Sequence, residues 1–144
     1  MDFTKLKDYL DNIDKNIIPS SRIIVKKGNK ITIADWKTNK KIETKSFFNS
    51  KTKTSVKMKF PLNNLDDVNY YHYALQLSTY AWMIQQMDPM YEIEDLVLVH
   101  FDHNDNMTVY HMPYLKDEVI KMLLYYKKES VLAENRKKRQ KIEY

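Results

Sequence analysis

The stretch Ile31-Thr32-Ile33-Ala34-Asp35-Trp36-Lys37-Thr38 constrains this chain most, because an apolar run ends there in an acid and a lysine two residues apart. The run predicts a strand, and side chains alternate faces along a strand, so Asp35 and Lys37 project from the same side of a sheet. Few structural needs place a carboxylate and an ammonium side by side at the end of a burying strand. Chemistry on phosphate is one. There the carboxylate holds a divalent metal while the lysine stands by the attacking water or the charge developing on phosphorus. The plain alternative is a surface ion pair at a fraying strand end, worth ~0–1 kcal/mol.

A second pattern follows downstream. Tyr70, Tyr73, Ala74, Leu77, Tyr80, Ala81 and Ile84 recur at helical spacing and predict an amphipathic helix over residues 69–87, closed by Asp88-Pro89. Gln76 and Tyr80 lie one turn apart at its margin, offset by ~40°. By themselves Gln76 fits a solvated flank and Tyr80 fits core.

Taken together, I-x-I-x-D-W-K-T followed by Q-L-S-T-Y-A resembles the RecB-like branch of the PD-(D/E)xK nuclease superfamily, over about Arg22 to Met87. The resemblance implies an α/β protein with a mixed β-sheet core flanked by helices, restriction-endonuclease-like. It implies an enzyme that uses Mg²⁺ or Mn²⁺ to hydrolyse DNA phosphodiester bonds in recombination, repair or phage genome processing. In that frame Asp35 is a metal ligand, the carbonyl of Trp36 a further one, and Lys37 the catalytic lysine. Gln76 and Tyr80 become the helix pair that orients the lysine or touches DNA near the scissile phosphate, and Thr38 fixes the strand end.

One position departs from the pattern. These nucleases carry an earlier aspartate on the strand before the acid-x-lysine pair, usually in a G-x-x-D context. Here that place offers Ser20, Ser21 or Arg22, with no glycine before them. Asp14 is the nearest acid, and it reaches the site only if residues 15–21 loop back. A single carboxylate rarely holds Mg²⁺, which wants several oxygen ligands. The family's first helix would fall largely upstream of Met1, so the resemblance implies an N-terminally abbreviated form. An alternative function follows: a catalytically degenerate or split nuclease-fold module that binds nucleic acid or a protein partner, with a second protein chain completing the site in the split case.

Composition narrows the classes. A chain of 144 residues, 43% hydrophobic, with eleven tyrosines, five phenylalanines and two tryptophans, suits one folded domain. The absence of cysteine excludes disulfides, thiolate zinc sites and cysteine nucleophiles. The one glycine, Gly28, belongs to a hairpin turn, so neither a P-loop nor a dinucleotide fingerprint is available. No apolar run is long enough to cross a bilayer and the start lacks a signal pattern, which points to the cytoplasm of a bacterial or phage-infected cell, or a virion. With 21 lysines and 11 asparagines, the composition suits AT-rich coding DNA, as in a bacteriophage or a low-GC bacterium.

Along the chain, residues 2–16 predict a short charged helix with Phe3, Leu6, Leu10 and Ile13 on one side, ended by Pro19. Residues 22–27 and 30–37 predict one hairpin, 93–102 and 107–112 another, and a last helix runs from about Tyr114 to Lys138. Between Lys51 and Phe60 an alternating pattern predicts an edge strand with Lys51, Lys53, Lys57 and Lys59 on one face. Such lysines keep an edge from pairing with another chain, or track a phosphate backbone. Residues 1–135 make a single nuclease-like domain and 136–144 a basic C-terminal tail. Arg136, Lys137, Lys138, Arg139 and Lys141 carry five positive charges, equal to the net charge of +5. These cations fit either a grip on DNA phosphates or a solvated helix end. A further grouping, His100, Asp102, His103 and Asp105, has metal-binding residue types but sits beside the turn formers Asn104-Asp105-Asn106.

Overall fold

A computed structural model describes residues 22–38, 41–46 and 48–142. The predicted helix over residues 2–16, and Asp14 with it, lie outside them. Strands β1 (Arg22–Lys27) and β2 (Lys30–Lys37) form the first hairpin, turning at Gly28, whose φ of 64° is a conformation that glycine enters without steric cost. Two short strands, β3 (Phe48–Asn49) and β4 (Thr54–Ser55), make a small separate sheet. Helix α1 (Asn69–Met87) leads into β5 (Glu92–Phe101), β6 (Met107–His111) and helix α2 (Lys116–Ile142).

The main sheet has the order β1-β2-β5-β6. β1 runs antiparallel to β2, β5 parallel to β2, and β6 antiparallel to β5. A parallel neighbour requires a crossover, and the chain between β2 and β5, which includes α1, supplies it. The fold is therefore mixed α/β, as its sequence pattern predicts.

Alternation fixes which face of the sheet is buried. Ile31, Ile33, Asp35 and Lys37 of β2 are buried, whereas Thr32, Ala34 and Trp36 between them are only partly so. On β5 the buried set is Leu96, Leu98 and His100. α1 lies on this side, and its Tyr73, Ala74, Leu77 and Ala81 join Ile31, Ile33, Leu96 and Leu98 in the main core. These are the helix positions that the 3.6-residue period selects. Removing Leu98, which is fully buried, to alanine would cost about 2–5 kcal/mol. A second cluster under the connector joins Met58, Leu62, Leu65 and Leu75, with Met122 of α2 against it.

One sequence expectation fails here. The stretch from Lys51 to Phe60 is not one edge strand, because Thr54–Ser55 alone pairs there and Lys53 takes φ 53°, turning the chain. Lys51, Lys53, Lys57 and Lys59 therefore share no strand face, and Lys57 is ion-paired with Asp66. At the C-terminus, residues 136–142 continue α2 without a break, as exposed helix.

Candidate functional site

A two-residue turn at Gly28-Asn29 sets Lys27 opposite Lys30 and, five pairs back, Arg22 opposite Asp35. Cross-strand partners share a face, so the Arg22 side chain projects beside the Asp35 carboxylate. On the other flank of β2, Asp35 is paired with Leu98 and Lys37 with His100. The sheet thus gathers Arg22, Asp35, Lys37 and His100 on its buried face, at one end of the core.

This is not a surface site. Asp35 is 1% exposed and Lys37 3% exposed, and the Lys37 ammonium stands 3.5 Å from Oδ2 of Asp35. The plain alternative of an exposed ion pair at a fraying strand end is overturned: the apolar register that buries Ile31 and Ile33 carries the next two inward positions into the interior as well. Lys37 and the Trp36 backbone are the nearest partners of the carboxylate. The pair is long and buried.

α1 roofs the group. The Lys37 ammonium lies 4.8 Å from the centroid of the Tyr73 ring, and the Arg22 guanidinium lies 4.0 Å from that of Tyr80. Both are cation–π contacts, which strengthen when desolvated. Tyr73, Gln76 and Tyr80 follow one another on one helix face, so Gln76 lies between the two rings and is buried. The structure brings Asp35 and Lys37 together under α1, where Gln76 and Tyr80 lie on the same helix face as Tyr73. It adds Arg22 and Tyr73, whose roles the sequence pattern does not announce. The turn length is the signal that could have found Arg22.

Burial is the larger influence on Asp35 and pushes its carboxyl above the ordinary 3.8, while Lys37 and then Arg22 pull it back. An ionised Asp35 is thus held by two cations from neighbouring positions.

A buried carboxylate suits a cation in principle. Yet the described residues answer Asp35 with Lys37 and Arg22, and among them no three His, Asp or Glu side chains form a metal-holding group. The set of Asp35 and the Trp36 carbonyl does not by itself fit Mg²⁺, which takes near-octahedral oxygen coordination. The grouping around His100 separates: Asp102 accepts hydrogen bonds from the backbone of Asn104 and Asn106 at 2.8 and 3.0 Å, turn chemistry that holds its carboxyl below the usual value. His100 points instead into the interior beside Lys37.

The basic residues lie apart from this centre. Arg136, Lys137, Lys138 and Arg139 are exposed on the last turns of α2, and Lys51 and Lys53 are exposed in and near the β3–β4 turn. Among the described residues no helix is long and apolar enough to cross a membrane. Set against family models, characterised proteins and solved structures, the chain matches none.

Proposed function

We propose that this chain is a nuclease-fold module of the PD-(D/E)xK kind that binds DNA, with Asp35, Lys37, Gln76 and Tyr80 as its inherited site and Arg22 closing it. The observation that carries this is the Arg22–Asp35 pairing across the β1–β2 ladder. It puts a guanidinium beside the acid, on the strand where the resemblance implies a second carboxylate. A positive side chain there neutralises Asp35 without a metal and removes an oxygen ligand that a divalent cation would need. Mixed sheet topology, with a helix-bearing crossover between parallel β2 and β5, supports the same reading at the level of architecture.

One observation favours a second reading, a Mg²⁺- or Mn²⁺-dependent deoxyribonuclease: a buried carboxylate, Asp35, stands 3.5 Å from a lysine ammonium. A bound cation would polarise a phosphate oxygen and activate water. For this chain's own part, Lys37 would stabilise negative charge on phosphate, and α1 would exclude water from it.

Incubating the purified chain with linear and circular DNA and Mn²⁺ separates the two. DNA binding without cleavage supports the closed module. Cleavage that Asp35→Asn and Lys37→Met both abolish supports the nuclease. Neither binding nor cleavage at low salt sinks both readings.

A further inference from the structure

A cavity of ≈ 470 Å³ opens between the 58–62 connector, α1 and α2. That is within the range of small-ligand sites, ~300–1,000 Å³. Its wall on the α1 side contains Tyr73 and Gln76, the residues whose helix face also roofs Lys37. The Tyr73 side chain therefore borders both the cavity and Lys37. The cavity's inner wall is soft and apolar, with Met58, Leu75 and Met122.

The mouth carries an unusual ring. Phe60 is 69% exposed, yet it is held in a T-shaped pair with Tyr125 of α2, with centroids 5.5 Å apart and planes at 83°. A phenylalanine held by one neighbour and 69% exposed keeps ring surface open to a second flat group. Lys59 adjoins it in the lining, and three polar groups converge on the same space: Gln76, Glu129 and the Asp67–His72 pair, whose atoms are 2.7 Å apart. Aromatic walls, a few hydrogen-bonding groups and a cation beside the entrance are together complementary to a flat heterocycle joined to an anion.

We infer that this cavity takes an unstacked base of single-stranded nucleic acid, stacked on Phe60 with its edge toward Gln76 and Glu129 and its phosphate toward Lys59. The inference rests on the nucleic-acid reading above and gives it a strand preference. A duplex keeps its bases paired and stacked, and cannot present one to a pocket without paying to unstack it, so single strands bind in preference.

The test uses the whole chain carrying ¹³C-methyl methionine, titrated with oligothymidylate and with a duplex of equal length. The expected result is that oligothymidylate shifts the methyl signals of Met58 and Met122 while those of Met87 and Met90, exposed at and beyond the end of α1, stay in place. Phe60→Ala and Tyr125→Ala should each weaken oligothymidylate binding about tenfold, since a stacked base is worth ~1–3 kcal/mol. Both side chains are exposed enough to remove without unfolding the chain. Binding that leaves Met58 and Met122 unshifted and tolerates Phe60→Ala overturns the pocket and leaves the nucleic-acid reading standing. Equal affinity for the duplex overturns the strand preference and the pocket with it. No binding of either probe at low salt overturns both inferences.

Discussion

Arg22 and Asp35 face each other across adjacent strands, one carried by the first residue of β1 and the other by the buried end of β2. The guanidinium rests on the Tyr80 ring, so the helix, the hairpin and the acid meet at one point. Opposite charge contributes at that point, since Lys37 and Arg22 both flank the buried carboxylate of Asp35.

Removing the guanidinium should therefore show up as a pH-dependent loss of stability. Asp35 titrates above 3.8 in the fold, so the native state holds that proton more tightly than the unfolded chain does. Its contribution to stability then falls as pH rises from about 3.8 through the folded value. Arg22→Ala raises the folded value further by deleting an opposing charge. The variant should fall short of the wild type least in acid, where Asp35 is protonated in both and only the Tyr80 contact is lost, and by about 1–3 kcal/mol more above the variant's folded value. Urea midpoints measured across pH check this, and a deficit that persists unchanged in acid would contradict it.

Lys37 makes a sharper case. Truncating one member of a buried ion pair leaves the other uncompensated, at a cost of about 3–5 kcal/mol. Lys37→Ala should lower the melting temperature strongly, which is not how an exposed catalytic lysine behaves. Replacing both members with apolar residues of similar shape, as in Asp35→Leu with Lys37→Met, should recover most of the loss. A double-mutant cycle with no coupling between the two positions would refute the pairing.

How much of this was legible in the chain follows from where side-chain periodicity operates. The hairpin at Gly28, the α1 face from Tyr70 to Ile84 and the second hairpin all obey a clear period, and the structure places them as the sequence predicts. Lys51 to Phe60 obeyed the same period and misled, because alternation cannot announce the turn that Lys53 makes. Burial of Asp35 and Lys37 was hidden for a related reason. A charged residue reads as exposed on hydropathy, and only the register with Ile31 and Ile33 places it inside. Tyr73 read as core, and core it is, but its ring also meets an ammonium from the neighbouring sheet.

Ser78 illustrates a polar residue with a structural task. Its hydroxyl accepts a hydrogen bond from the Leu115 amide at 2.9 Å and donates one to the Pro113 carbonyl at 3.3 Å, tying the approach to α2 onto α1. Ser78→Ala should cost about 1–3 kcal/mol through the orphaned backbone groups. Amide exchange should rise first at Leu115, ahead of the core strands. Unaltered protection there would show that another contact holds the junction.

The exposed cations at the end of α2 bear on affinity more than on fold. Neutralising Arg136, Lys137, Lys138, Arg139 and Lys141 should leave the unfolding midpoint nearly unchanged, since their side chains lie in solvent. If they grip a single strand, the slope of log affinity against log salt should become shallower by up to ~3.5, from ~0.7 per neutralised phosphate contact. An unchanged slope assigns the tail to solvent and leaves Lys51, Lys53 and Lys59 as the remaining described contacts.

The most decisive substitution returns to the first pair. Arg22→Asp replaces the guanidinium with a carboxylate directly across from Asp35, giving two acids on one face of adjacent strands beside Lys37. Two carboxylates so close resist joint ionisation unless a cation joins them. The variant should be less stable than the wild type in a chelator, and Mg²⁺ or Mn²⁺ should restore it, because a ligand bound to the native state alone adds stability by mass action. The wild type should gain far less from the same ions. Calorimetric titration of both proteins gives the affinities, with at least a tenfold difference expected. Cleavage of DNA that appears only in the Mn²⁺-loaded variant would identify Arg22 as the residue that closed a nuclease site. Equal metal response in the two proteins would show that Arg22 does not occupy the position of a cation.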